Sequence, residues 1–339
     1  MVLTISPSAL HTPPLILGHR TALELHRSLP LLKSCPFVEG ERTLPAKPPS
    51  GPLREQSLDA LIATHGTPPP RQPLHCYARQ PSRSRKGDPI VSHSCALPLP
   101  SRSLRRLNPA VLVASPELAL AQIAAGNTSW LELIELLWEA CGTYQTELTS
   151  LESRYEVDPL TSRRRIRRFS NRASSLNGAR KIARVLRYVA DGSASARETK
   201  LALMLGLPVM YGGYGLGIPR MNYRIAASSS ARAVAGKASF RADLCWPEAK
   251  LDIEYQSREI HGSEESRGND SRRANALASM GWTVVSVTPT ELENIRILDG
   301  IANTIRRRMG KRVRSEVPDR RSRQIRLMRQ LHIAPGFRK

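Results

Sequence analysis

The sequence predicts an α/β fold whose second half carries a mixed central sheet, preceded by a helical module and an irregular N-terminal region. Three observations lead there. Residues 240–256 hold two runs of strict alternation: Phe240, Ala242 and Leu244 against Arg241, Asp243 and Cys245, then Leu251, Ile253 and Tyr255 against Asp252, Glu254 and Gln256. That period is the pattern of half-buried strands, and Trp246-Pro247-Glu248-Ala249 supplies the turn between them. Helix signals flank this hairpin on both sides, and Trp282–Val287 adds a compact β-branched strand. Finally, Pro13-Pro14, Pro48-Pro49, Pro68-Pro69-Pro70 and Pro98-Leu99-Pro100 break any long helix before residue 110.

At 339 residues the chain is long enough for two domains and a sizeable core. Its formal charge is +22, from 51 Lys and Arg against 29 Asp and Glu. Such an excess predicts attraction to a polyanion, most simply DNA, and clustered arginines suit phosphate because a guanidinium binds two oxygens at once. A GC-rich genome, in which Arg codons are abundant, explains scattered arginines but explains clusters less well. The five cysteines are scattered, odd in number and form no Cys-x-x-Cys pair, which argues against a disulfide framework and for a reducing compartment. No basic segment leads into a long apolar run at the amino terminus, and no stretch nears the roughly 20 apolar residues that span a bilayer. A cytoplasmic protein with no membrane partner is expected.

In chain order, residues 1–110 contain one ordered-looking segment, Leu15–His26, a strand-like run entering a short helix. His75-Cys76 and His93-Ser94-Cys95 are zinc-ligand types, but neither pair has finger-like spacing, so strand residues or loop ends are the favoured reading. Residues 111–192 are expected to be a helical, basic connecting module. Ser115-Pro116 is an N-cap followed by Pro at the first helical position, and Trp130–Cys141 repeats apolar residues at helical spacing up to Gly142. Arg163-Arg164-Arg165 and Arg167-Arg168 form a basic block. The helix beyond it sets Ile182, Val185 and Leu186 on one side and Arg180, Arg184 and Arg187 on another, either a solvated face or one that tracks phosphate.

Residues 193–310 form the expected second domain. Ser195 with Glu198 three residues on is a capping-box pattern, giving Glu198 a structural role whatever else it does. Gly-rich Tyr211–Pro219 lacks a Gly-Lys-Ser/Thr ending and does not read as a phosphate loop. Met221–Ile225 is a predicted strand, Ser263–Met280 a helix closed by Gly281, and Thr290 the expected cap of a final helix running to Ile305. Residues 311–339 are expected to be a basic tail, partly helical at best. If both alternating runs are strands, Asp243, Glu254 and Gln256 can project from one face of the hairpin, an arrangement that chemistry can use.

The order from Ser195, helix, strand, strand, strand, helix, strand, helix, resembles the αβββαβ core of the PD-(D/E)xK endonuclease-like superfamily. Asp243 matches the family's metal-binding Asp, Glu254-Tyr255-Gln256 its Asp/Glu-x-Lys, and Glu198 an acid that many members place beside the metal. His261, the helix bearing Asp270, Arg272 and Arg273, and the Gly281-Trp282 entry to the last strand are similar to the branch of very-short-patch-repair endonucleases. The resemblance implies a restriction-endonuclease-like fold and a DNA endonuclease of repair, restriction or defence. It further implies Mg²⁺ or Mn²⁺ on Asp243 and Glu254, with Glu198, Gln256 and His261 assisting. Arg180, Arg184, Arg187, Arg272 and Arg273 would then face DNA. Gln256 departs from the family's Lys: it can orient a water but carries no charge. Two short patches, Leu17–Leu23 and Ala114–Ala119, resemble AbiEi-type antitoxins of type IV toxin–antitoxin systems, which implies the second hypothesis, a non-catalytic DNA-binding regulator with a toxin or defence partner.

Overall fold

A computed structural model describes residues 14–38, 47, 55, 59, 61–63, 70–81, 88–94, 99–256, 264–311 and 318–333. It is a mixed α/β protein in two compact units, residues 1–140 with 145–187, and residues 141–144 with 188–339.

The first unit is built on a five-stranded sheet. Its strands are β1 (Leu15–Leu17), β2 (Leu74–Tyr77), β3 (Ile90–His93), β4 (Leu104–Asn108) and β5 (Val111–Ala114), in the spatial order β3-β2-β1-β5-β4. The described residues of the N-terminal region thus contribute strands to a sheet, where an irregular region was expected. β1 pairs in parallel with β5, Leu15 to Val111 through Leu17 to Val113, so a boundary near residue 110 would cut through the middle of this sheet. Both strands are wholly buried, as central strands with covered faces must be. α1 (His19–Ser28) follows β1 directly, matching the strand-to-helix reading of Leu15–His26. α2 (Pro116–Ala125) starts where expected, the Ser115 hydroxyl accepting from the Leu118 N–H at 3.3 Å.

Three further helices are α3 (Trp130–Cys141), α4 (Arg163–Arg172) and α5 (Asn177–Val185). The basic block of residues 163–168 is thus itself helical, with Ser162 accepting from the Arg165 N–H at 3.3 Å. α5 lies hard against α2: a Cβ on Gly178 would sit 1.7 Å from the Ala121 carbonyl oxygen. Gly178→Ala is therefore expected to destabilise the protein by about 1–3 kcal/mol, the usual cost of overpacking. Thermal melts should show this loss, whereas Gly126→Ala, whose Cβ would meet nothing nearer than 3.5 Å, should melt close to wild type.

Two short strands, β6 (Tyr144–Gln145) and β7 (Arg154–Tyr155), follow β5 in the chain. The second unit carries a four-stranded sheet in the spatial order β11 (Thr283–Val287), β10 (Leu251–Tyr255), β9 (Ser239–Trp246), β8 (Arg220–Ala226). Its elements in chain order are α6 (Ala196–Gly206), β8, α7 (Ser229–Ala235), β9, β10, α8 (Glu264–Ser279) and β11. β8, β9 and β10 are antiparallel, and α8 makes the crossover that lets β11 run parallel to β10. A 3₁₀ turn over Pro247–Ala249 joins β9 to β10, with Lys250 left-handed at φ +47°. Ala276 and Leu277 of α8 share a buried cluster with Ile225, Phe240 and Ala242, which fixes this helix over the sheet.

One expectation is corrected beyond β11. Thr290 caps nothing. Thr288 makes a capping box with Glu291 to start the short α9 (Pro289–Glu293), and Asn294 caps a separate α10 (Ile295–Arg308). The basic tail is in part helical: α11 (Arg320–Gln330) buries Gln324, Leu327 and Met328. α11 accounts for part of the Gly-rich run. Gly212 adopts φ +93°, and a Cβ there would lie 2.3 Å from the Arg323 carbonyl oxygen.

Candidate active site: a carboxylate face in the second unit

The β9–β10 ladder positions the site. Leu251 pairs with Trp246, Asp252 with Cys245 and Ile253 with Leu244, after which the two strands no longer pair. β10 continues on β11 alone, Glu254 opposite Ser286 and Tyr255 opposite Val287. Where the ladder opens, the Tyr255 N–H donates to the Asp243 carboxylate at 3.0 Å instead of to a backbone carbonyl. By the two-residue period Asp243, Asp252 and Glu254 share one face.

Arg273 reaches this face from α8. Its Nη2 donates to Glu254 Oε1, to Asp252 Oδ2 at 3.3 Å and to the Arg241 carbonyl at 2.7 Å. Arg273 was expected to face phosphate; its guanidinium instead binds the carboxylates, because the packing of Ala276 and Leu277 turns that side of α8 onto the sheet. Asp252 is fully buried, and its Oδ1 has no hydrogen-bond partner among the described residues. Alternation placed Asp252 on the polar face, but its importance comes from burial under α8, which a single strand pattern does not show.

Glu198 occupies the third position of α6. Its carboxylate accepts from the Ala194 N–H at 3.1 Å and the Ser195 hydroxyl at 3.0 Å, while Ser195 Oγ accepts from the Glu198 N–H at 3.1 Å. The capping role is thus filled. Asn222 donates to the Gly192 carbonyl and accepts from Arg241 Nε, both at 2.6 Å, tying β8 to β9 and to the segment before α6. Ser195→Ala should cost about 1 kcal/mol of stability in urea unfolding through loss of the cap.

Charge is strained across this face. Burial first, then repulsion from Glu254 and Glu198, pushes the Asp243 carboxyl up to about 7 against the opposing Tyr255 N–H and Arg273. Burial, hydrogen bonding to Glu254 and repulsion from it raise Asp252 well above the usual range. Burial also raises Glu198. Raised carboxyl pKa values and an orphaned buried oxygen mark a site with less positive charge than its acids call for. The donor set is all oxygen, which suits a hard divalent cation. Among the described residues no three His, Cys, Asp or Glu side chains converge as a complete metal cage. Mg²⁺ needs none, since it commonly takes one or two carboxylates with water and phosphate oxygens filling the rest.

Gln256 is exposed, and its Nε2 donates to the Ser286 hydroxyl at 3.2 Å. Arg272 is exposed and bonds Asn269 at 2.8 Å. His261 lies outside the described residues. Arg180, Arg184 and Arg187 belong to the first unit and are exposed there, Arg180 bonding Asn177. His75 and Cys76 are residues of β2 and His93 of β3, as the strand reading had it. The two imidazoles stack at 5.0 Å and share a 2.7 Å Nδ1···Nε2 hydrogen bond. No helix among the described residues is long and apolar enough to cross a membrane.

No family model matches the chain, and no solved structure matches it. It is similar to two uncharacterized proteins of Mycobacterium tuberculosis, from strains CDC 1551 / Oshkosh and ATCC 25618 / H37Rv. Each is 32% identical over 120 residues, covering 34% of this chain and 40% of the relative. The match therefore spans well under half the length of these curated relatives.

Proposed function

We propose that the second unit is a restriction-endonuclease-like core of the PD-(D/E)xK type that hydrolyses DNA phosphodiester bonds with Mg²⁺ or Mn²⁺. The observation that carries this reading is the opening of the β9–β10 ladder at Asp243 and Glu254, which leaves two carboxylates on one face with Asp243 pushed up to about 7. Asp243 and Glu254 would hold the cation. Such an ion, when bound, polarises the scissile phosphate and lowers the pKa of the attacking water. Glu198 is fixed by its cap contacts with its charge felt at Asp243, so it helps retain the cation. The Gln256 amide can orient the water, and Arg273 brings to Asp252 and Glu254 the positive charge that Gln256 lacks.

A second reading has a specific observation in its favour. Arg273 already neutralises Glu254 and Asp252, as it would in a scaffold that binds DNA without cutting it, the regulator suggested by the AbiEi-like patches. Nicking of supercoiled plasmid separates the two. The nuclease reading expects cleavage in Mg²⁺ or Mn²⁺ that falls on the order of 10²-fold or more in Asp243→Ala and Glu254→Ala. No cleavage by wild type in either metal, or equal cleavage by both variants, supports the regulator.

A further inference from the structure

The first unit carries a basic pocket separate from the carboxylate face. On α4, Arg165, Arg168, Phe169 and Arg172 follow i, i+3, i+4, i+7 spacing and share one side of the helix. Facing them are Arg102, Arg105 and Phe37 at the β4 edge of the sheet, where Phe37 bridges to Arg105. Together they line a cavity of about 310 Å³.

Several of these groups are held in place. The Arg105 and Arg102 guanidiniums lie 4.0 and 4.7 Å from the centre of the Phe37 ring. Arg105 Nη1 also donates to the Cys35 carbonyl at 2.6 Å and the Lys33 carbonyl at 3.1 Å. Arg165 Nε pairs with Glu117 Oε1 at 2.9 Å, and Glu117 is the one acid lining the cavity among the described residues. Burial, followed by the charge of Arg165, lowers the pKa of Arg105, as crowding of like charges requires. Five arginines thus surround one carboxylate, with Arg102, Arg168 and Arg172 exposed to solvent.

We propose that this pocket binds backbone phosphate of a single-stranded nucleic acid. Guanidinium forks match phosphate oxygens bidentately, and a ligand carrying repeated phosphates compensates this charge where an isolated carboxylate would not. The concave shape favours a strand that can bend a nucleotide inward over one whose phosphates lie on a rigid duplex. Half-buried Phe169, among the arginines, offers an aromatic surface for a base. The pocket grips without cutting and lies in the other unit, so it does not depend on the hydrolytic reading.

The test is fluorescence anisotropy of a labelled single-stranded DNA 12-mer with the full-length protein in EDTA, over a range of salt, where metal-dependent cleavage cannot contribute. Arg168→Gln/Arg172→Gln is expected to weaken binding about 10-fold or more and to flatten the slope of log K against log salt by about 1.4, two phosphate contacts at about 0.7 each for a single strand. Glu117→Gln, which unmasks Arg165, should bind more tightly than wild type, an increase that misfolding would not produce. A mononucleotide should bind far more weakly than the 12-mer. Wild-type affinity and salt slope in the double variant, a mononucleotide binding as tightly as the strand, or an equally tight duplex would each overturn the proposal.

Discussion

Replacing Arg273 with alanine is expected to destabilise the protein by about 3–5 kcal/mol at about pH 10, above the value of about 9 to which burial and Glu254 raise the Asp252 carboxyl, the range for breaking a buried ion pair from one side. The cost follows from what remains. Asp252 is fully buried with one oxygen already unpartnered, and Glu254 beside it would lose the same guanidinium. Asp252 holds a proton more readily than usual, so the loss should shrink in acid as the carboxyls neutralise. Arg272→Ala, one residue away but exposed, should change stability by no more than about 0.5 kcal/mol. Combining Arg273→Ala with Asp252→Asn should recover part of the loss, because the amide has no charge to compensate. Urea unfolding of the four proteins measures this, and an Arg273→Ala variant as stable as Arg272→Ala would mean the guanidinium does not support the buried carboxyls.

The second large effect is a pH dependence centred on Asp243. Its carboxyl keeps its proton up to about pH 7 in the folded protein, against an ordinary value of 3.8. Between these values the folded state binds more protons than the unfolded chain, so stability falls as pH rises from about 4 to about 7. Asp243→Asn removes the charge that the fold resists. In EDTA it should leave stability at pH 4 nearly unchanged and raise it at pH 8 by about 2–4 kcal/mol. Melting temperatures of wild type and variant across this range should therefore diverge upward with pH. Parallel curves, or a variant less stable at pH 8, would mean Asp243 ionises without penalty.

The local signals in the sequence were those that the fold uses locally. Alternation across Phe240–Cys245 and Leu251–Gln256 marked β9 and β10, and the same period put Asp243 and Glu254 on one side. The Ser115 and Ser195 caps were readable because a hydroxyl accepting a helix N–H needs only three residues of context. What depended on distant packing was not readable. Arg273 lies on a helix with no clear apolar stripe, and only the docking of Ala276 and Leu277 turns it onto Asp252 and Glu254. The first sheet was hidden because its strands are three to five residues long, and β1 finds its parallel partner β5 nearly a hundred residues away. In the tail, arginine density obscured the spacing of Leu327, Met328 and Leu331, which are buried. Arg163–Arg172 read as charge before it read as helix, although arginine is a good helix former.

The proposed hydrolysis requires the carboxylate face to hold a divalent metal ion and not to serve only as a partner for Arg273. Direct Mn²⁺ binding to the full-length protein, followed by the loss of the free-ion paramagnetic resonance signal at pH 8, tests it without requiring DNA or turnover. A Mn²⁺ site that Mg²⁺ displaces, and that is lost in both Asp243→Asn and Glu254→Gln, is expected. Wild-type protein that leaves the free-ion signal unchanged, or equal binding by wild type and both variants, would contradict it.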